Sequence, residues 1–167
     1  MKTAFIFPGQ ASQFVGMGKD LYETFDLAKN YFDRANDILG FDLKKICFEG
    51  PEETLKQTYV TQPAIFVHSA VVNELLRQEY DFTAQGMAGH SLGEYSALVA
   101  AGSLSFEDGL KLVQKRGQLM YESGKKNPGT MAALIGLSEE QVYALCNELK
   151  SEGVIQPANF NSPGQIA

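Results

Sequence analysis

The order of apolar and polar positions predicts an alternation of strands and helices. Residues 2–7 form a short apolar run that reads as a buried strand, stopped by Pro8-Gly9-Gln10. Ala11 to Gly18 is too rich in glycine and polar side chains for a regular element. It reads as a loop at a strand end, where α/β proteins place binding groups. Leu21, Phe25, Ala28, Phe32, Ala35 and Leu39 then recur every three or four residues, and Gly40 closes this helix. A second helix is predicted over 51–57 with Pro51 in its first turn, and a third from Gln62-Pro63 to Gln78. Ile65, Val67, Val71, Val72, Leu75 and Leu76 supply the apolar face of the third. A short apolar stretch, Gly86 to Gly89, leads into a sharp turn and a helix from Leu92 to Ala101. The next helix starts at Ser105, whose spacing to Asp108 resembles a capping box, and runs to Tyr121.

Beyond that point the rhythm changes. Gly124 to Gly129 is polar and reads as a hinge or domain boundary. Met131 to Leu137 reads as a strand, Ser138-Glu139-Glu140-Gln141 caps a helix to Leu149, and Val154 to Phe160 starts another strand. The pattern therefore predicts an α/β unit over 1–125 and the start of a small α+β subdomain over 126–167. A strand-helix-strand unit alone leaves a sheet half built, so a fragment is expected.

Composition narrows the function classes. A net charge of -6 over 167 residues argues against nucleic acid as a general partner, with Lys44-Lys45, Lys115-Arg116 and Lys125-Lys126 as candidate local basic patches. No apolar run approaches the roughly 18 residues of a membrane span, and the N-terminus lacks the apolar core and cleavage site of a signal peptide. No membrane association is expected. Cys47 and Cys146 have no CxxC spacing and read as buried thiols of a reducing compartment, which makes the cytoplasm the expected location.

The chemistry concentrates in Gly89-His90-Ser91-Leu92-Gly93, a G-x-S-x-G between an apolar strand and a helix. Small residues two before and two after the serine permit a tight turn that lifts Ser91 clear of the sheet. The following helix aims its free N–H groups at the serine, where an oxyanion would form. Such a nucleophile needs a base. His90 is expected to pack or hydrogen-bond within the turn, and His68 reads as a satisfied, partly buried histidine of its helix. No histidine follows Ser91, so a hydrolase triad in the order Ser-acid-His cannot be assembled.

Arg116 stands out for its place on a helix. Phe106, Leu110, Val113, Gly117 and Met120 mark the inward stripe of the Ser105–Tyr121 helix, and Leu112 and Leu119 widen it on the side of Arg116. An inward guanidinium needs a counter-charge. Either a protein carboxylate pairs with it internally, or it is held for the carboxylate of a substrate, which it can grip through two parallel hydrogen bonds.

Taken together, Phe7-Pro8-Gly9-Gln10-Ala11-Ser12-Gln13, Thr61-Gln62-Pro63-Ala64, Gly89 to Ala97 and Arg116-Gly117 resemble the malonyl-CoA:acyl carrier protein transacylases of bacterial fatty-acid synthesis. Ala132 to Leu137 and Asn159 to Gln165 extend the resemblance over essentially the whole chain. It implies a hydrolase-like parallel-sheet core with a nucleophile elbow, joined to the start of a ferredoxin-like subdomain. It further implies that Ser91 carries the malonyl group as an ester and that backbone N–H groups of Leu92 and Gln10 form the oxyanion hole. Gly89, His90 and Gly93 would shape the elbow, and Arg116 would pair with the free carboxylate of malonate. Gln10 and Asn161 would also line the substrate site. Leu92 is similar to the residue found in malonyl-selective members. The implied partners are malonyl-CoA and acyl carrier protein, with no metal or cofactor and a monomeric whole enzyme. Two departures stand out: Ala11 replaces a usual glycine, and family members run to about twice this length, with their catalytic histidine in the further half. This chain alone is therefore expected to show little or no turnover. A serine esterase, or a non-catalytic piece that binds CoA or a partner, are the rival readings.

Overall fold

In the computed structural model, which describes residues 2–167, the first apolar run becomes β1 (Ala4–Phe7). It pairs in parallel with β2 (Gly86–Gly89), Ala4 opposite Gly86 and Phe7 opposite Gly89. Parallel neighbours require a crossover, and here it is helical. It consists of α1 (Lys19–Thr24), α2 (Asp26–Leu39), α3 (Leu43–Glu49), α4 (Glu52–Leu55) and α5 (Thr58–Glu79). After β2 come α6 (Gly93–Ala100) and α7 (Phe106–Lys126). The chain divides after Lys126 into two compact units. The second holds β3 (Leu134–Ile135), α8 (Glu139–Glu148), β4 (Phe160–Ser162) and β5 (Gln165–Ile166), an antiparallel sheet in the order β3-β5-β4 with one helix. The architecture is α/β followed by a small α+β unit.

The core of the first unit follows from amphipathic patterning. α2 buries Ala28, Phe32, Ala35 and Leu39, one stripe at helical spacing. α5 is buried nearly all round over 60–71 and accordingly central, with Val60, Ala64, Ile65, Phe66, Val67, Val71 and Leu75 buried. It packs against α7, α6 and α2. Cys47 is fully buried in this core, which pushes its thiol up to about 12 and leaves it protonated at neutral pH. Among the described residues no helix is long and apolar enough to cross a membrane.

Several boundaries differ from the sequence reading. The helix read through Leu21 to Leu39 is broken at Phe25, which is extended (φ -119°, ψ 125°) and lets α1 and α2 turn against each other. The 51–57 helix shrinks to α4, while α3, not predicted as an element, is capped by Asp42, whose side chain accepts from the Lys45 N–H. α5 begins at Thr58, so Pro63 lies inside it. Proline marked a start in the sequence, but burial of Val60 and Thr61 extends the helix in the other direction. α7 continues through Gly124 to Lys126 instead of ending at Tyr121. Lys125 and Lys126 complement the negative helix end, and the Lys125 ammonium lies 4.3 Å from the Tyr121 ring centre. Leu112, Leu119 and Met120 are about half exposed, so the inward arc of α7 is narrower than the pattern suggests. β1 is not buried throughout: Phe7 is, but Ile6, which points to the opposite face of the strand, is 79% exposed. In the second unit the strands are shorter, and 154–159 is irregular.

Candidate active site

The G-x-S-x-G turn joins the two ends of the parallel pair. His90 donates its backbone N–H to the Phe7 carbonyl (3.0 Å), and the Gly93 N–H closes the turn on the His90 carbonyl (2.9 Å). Between them Ser91 takes a left-handed backbone, φ 56°. For a residue with a Cβ this costs about 1–3 kcal/mol, held in place by its surroundings. Gly89 and Gly93 make the turn possible. A Cβ on Gly89 would lie 2.0 Å from the Gly93 carbonyl carbon, and one on Gly93 would lie 2.3 Å from the Phe7 carbonyl oxygen. α6 thus starts against the end of β1, with Leu92 fully buried at its N-cap.

Arg116 reaches this turn from α7. Its Nη2 donates to Ser91 Oγ at 2.8 Å and its Nη1 donates to Gln62 Oε1 at 2.7 Å. Among the described residues no carboxylate comes within ion-pair distance of Arg116. The internal salt bridge considered from the sequence is therefore absent from these residues. Lys111 and Lys115, on the solvent side as the helical pattern predicts, are exposed. Gly117 explains the approach: a Cβ there would lie 2.9 Å from Tyr59 Cα and 3.1 Å from the Thr58 carbonyl oxygen. Without a side chain at 117, α7 lies directly on the first turn of α5.

Gln62 is the residue that sequence reasoning left without a role. It is completely buried, with its amide nitrogen 3.2 Å from Met120 Sδ. A buried amide inside an otherwise apolar helix requires partners. Its burial was not legible in the sequence, where Gln62 stood at the predicted start of the helix.

The remaining candidates occupy distinct places. Gln10 is exposed on the loop after β1, and its side-chain amide donates to Thr58 Oγ1 at 3.4 Å, a long contact. Beside it Ala11 is left-handed, φ 86°, a conformation that favours glycine. The His90 ring lies against Gly9, where an added Cβ would meet its Nδ1 at 2.8 Å. His68, on α5, is partly buried, which lowers its pKa; its ring lies near Gly18. Asn161 lies in β4 of the second unit and is exposed. Cys146 is half-buried in α8. The first unit thus brings Ser91, Arg116 and Gln62 into one hydrogen-bonded chain.

Comparison with known proteins places this arrangement. The family model described as acyl transferase domain matches residues 4–167. Over 166 residues the chain is 48% identical to the malonyl CoA-acyl carrier protein transacylase of Bacillus subtilis (strain 168), covering 99% of this chain and 52% of that protein. The crystal structure of MCAT from Streptococcus pneumoniae superposes with a TM-score of 0.90 at 44% identity, over 99% of this chain and 53% of that one. A malonyl-transacylase solved in complex with a type II PKS acyl-carrier protein gives a TM-score of 0.89 at 40% identity, over 99% and 54%. The chain spans about half the length of these relatives. With the serine turn, the helix that follows it and a family match running almost end to end, the chain belongs to the acyl transferase domain family.

Proposed function

We propose that this chain supplies the acyl-carrying part of a malonyl-CoA:acyl carrier protein transacylase. The observation that carries the reading is the 2.8 Å contact between Arg116 Nη2 and Ser91 Oγ, with no carboxylate among the described residues in an ion pair with the guanidinium. A malonyl thioester has its free carboxylate one methylene away from the carbonyl that the serine must attack. A cation at the nucleophile fits that spacing, whereas a serine esterase acting on simple esters gives it no work.

Ser91 Oγ attacks the thioester carbonyl, a C–O bond forms, and the C–S bond breaks to release CoA. The malonyl-serine ester is then attacked by the phosphopantetheine thiol of the carrier protein, which takes the malonyl group and returns the serine. Backbone N–H groups of Leu92 and Gln10 are assigned to the oxyanion in both steps. We assign the general base to a histidine in the remaining length of such proteins, so this chain alone is expected to turn over little or not at all. Asn161 is assigned to the substrate side of the site. Exposed Lys115, Lys125 and Lys126 are assigned to docking of an acidic carrier, in the cytoplasm.

The test is the intact mass of the full-length protein after incubation with malonyl-CoA. One malonyl group is expected, absent in Ser91→Ala, and chased off by carrier protein. Reversing the three lysines to glutamate should slow the chase and leave loading unchanged. A malonyl group that persists in Ser91→Ala would overturn the nucleophile, and an unchanged chase would overturn the docking surface.

A further inference from the structure

We infer that Gln62 is a positioning residue that selects for a carboxylate-bearing acyl group by orienting Arg116 without neutralising it. This rests on the malonyl reading above. Gln62 is completely buried on α5, and its Oε1 accepts from Arg116 Nη1 at 2.7 Å. A guanidinium carries five N–H donors in a rigid plane. Gln62 on Nη1 and Ser91 on Nη2 use two of them, which fixes the plane at the nucleophile and leaves three for a ligand.

The chemical identity of the brace matters. A carboxylate at position 62 would hold the same nitrogen through the same kind of contact, but it would also cancel the charge. A buried arginine paired internally with a carboxylate has little reason to exchange it for a ligand, since the exchange leaves the protein carboxylate buried and unpaired. An amide satisfies one N–H and leaves the positive charge uncompensated. The arginine is then charged, partly desolvated and pre-oriented, and an incoming carboxylate completes it. Orientation in advance also lowers the entropy lost when the ligand binds.

Two substitutions separate orientation from charge. Gln62→Met keeps the volume and length of the side chain and its apolar packing but has no strong acceptor for Nη1. Gln62→Glu keeps the acceptor and adds the counter-charge. Initial rates of Ser91 acylation are measured in the full-length protein with malonyl-CoA and with acetyl-CoA, together with the melting temperature. For Gln62→Met, the KM for malonyl-CoA should rise about ten- to hundredfold, the loss of one charge-assisted hydrogen bond. Acetyl-CoA, which offers Arg116 no carboxylate, should be slowed much less than malonyl-CoA, while the melting temperature falls modestly for the lost Arg116 contact. For Gln62→Glu, the preference for malonyl-CoA over acetyl-CoA should fall further than for Gln62→Met. A merely structural role predicts instead that both substrates slow together as the melt falls. An unchanged malonyl-to-acetyl ratio in both variants, with a wild-type protein that loads malonate on Ser91, would overturn the role of Gln62 and leave the malonyl reading standing. A wild-type protein that loads no malonate overturns both.

Discussion

Ser91 in the G-x-S-x-G turn and Ala11 on the loop after β1 both have left-handed backbones, and they differ in what they contribute. Ser91 has φ 56° because the strand-to-helix turn leaves no other way to project Oγ, and the strain is held by glycines that admit no side chain. Ala11 has φ 86° on the loop that carries Gln10, and here a glycine would serve the same geometry. The left-handed form costs a residue with a Cβ roughly 1–2 kcal/mol, while a new glycine adds about 0.4–1 kcal/mol of unfolded-chain entropy. Ala11→Gly should therefore stabilise the protein slightly, by about 0.5–1 kcal/mol, read as a rise in the midpoint of urea unfolding. A lowered midpoint would mean that the loop does not hold Ala11 as described. At this scale the sequence was most informative. Gly89, Ser91 and Gly93 declared a turn whose crowding the structure supplies, with a Cβ on Gly93 landing 2.3 Å from the Phe7 carbonyl oxygen. Ala11 was visible as a departure from a usual glycine, but its φ was not, because backbone sign is set by the loop's closure and not by one residue.

Among the elements, the contact between α5 and α7 decides whether a site exists. Gly109 faces Phe66 and Gly117 faces the Thr58–Tyr59 backbone, so α7 lies close along α5 and brings Arg116 to Gln62. A methyl group at 117 must push the helices apart, since its neighbour is backbone and not a flexible side-chain tip. Gly117→Ala should cost about 1–3 kcal/mol as an overpacked contact and should lower malonyl loading more than the destabilisation alone explains. Thermal melts and loading rates on the same samples check this, and a melt and a loading rate both like wild type would contradict it. The helices themselves were legible from their periods: α6 and α8 fall where the pattern puts them, α2 and α7 lie within or beyond their predicted bounds, and Ser138 and Gln141 form the capping box that starts α8. α3 and the break at Phe25 were not. α3 has seven residues, too few to establish a period, and Phe25 continues the apolar spacing across the break. The start of α5 was misread because Pro63 resembled a first-turn proline, whereas packing of Val60 and Thr61 outweighs the one N–H that proline withholds. Arg116 was read correctly as set apart from Lys111 and Lys115, yet its neighbour Gln62 lies 54 positions away, and sequence spacing alone cannot join them.

At the scale of the whole molecule, the chain pairs a G-x-S-x-G turn with a cation and belongs to a family whose curated relatives are about twice as long. Among the described residues its first sheet has two strands, with Ile6 79% exposed on β1 and Leu98 46% exposed on α6. The central claim is that Arg116, braced by a neutral Gln62, makes Ser91 a serine for malonyl groups. The most direct measurement is a competition: the full-length protein is mixed with equal malonyl-CoA and acetyl-CoA, and the acyl group on the Ser91 peptide is identified by mass, beside Arg116→Ala. Malonyl should dominate on the wild-type serine, and its excess over acetyl should fall by about a hundredfold in Arg116→Ala, the loss expected when a paired, charge-assisted contact is removed. Equal occupancy by the two acyl groups in the wild type, or a malonyl preference that survives in Arg116→Ala, would contradict the account.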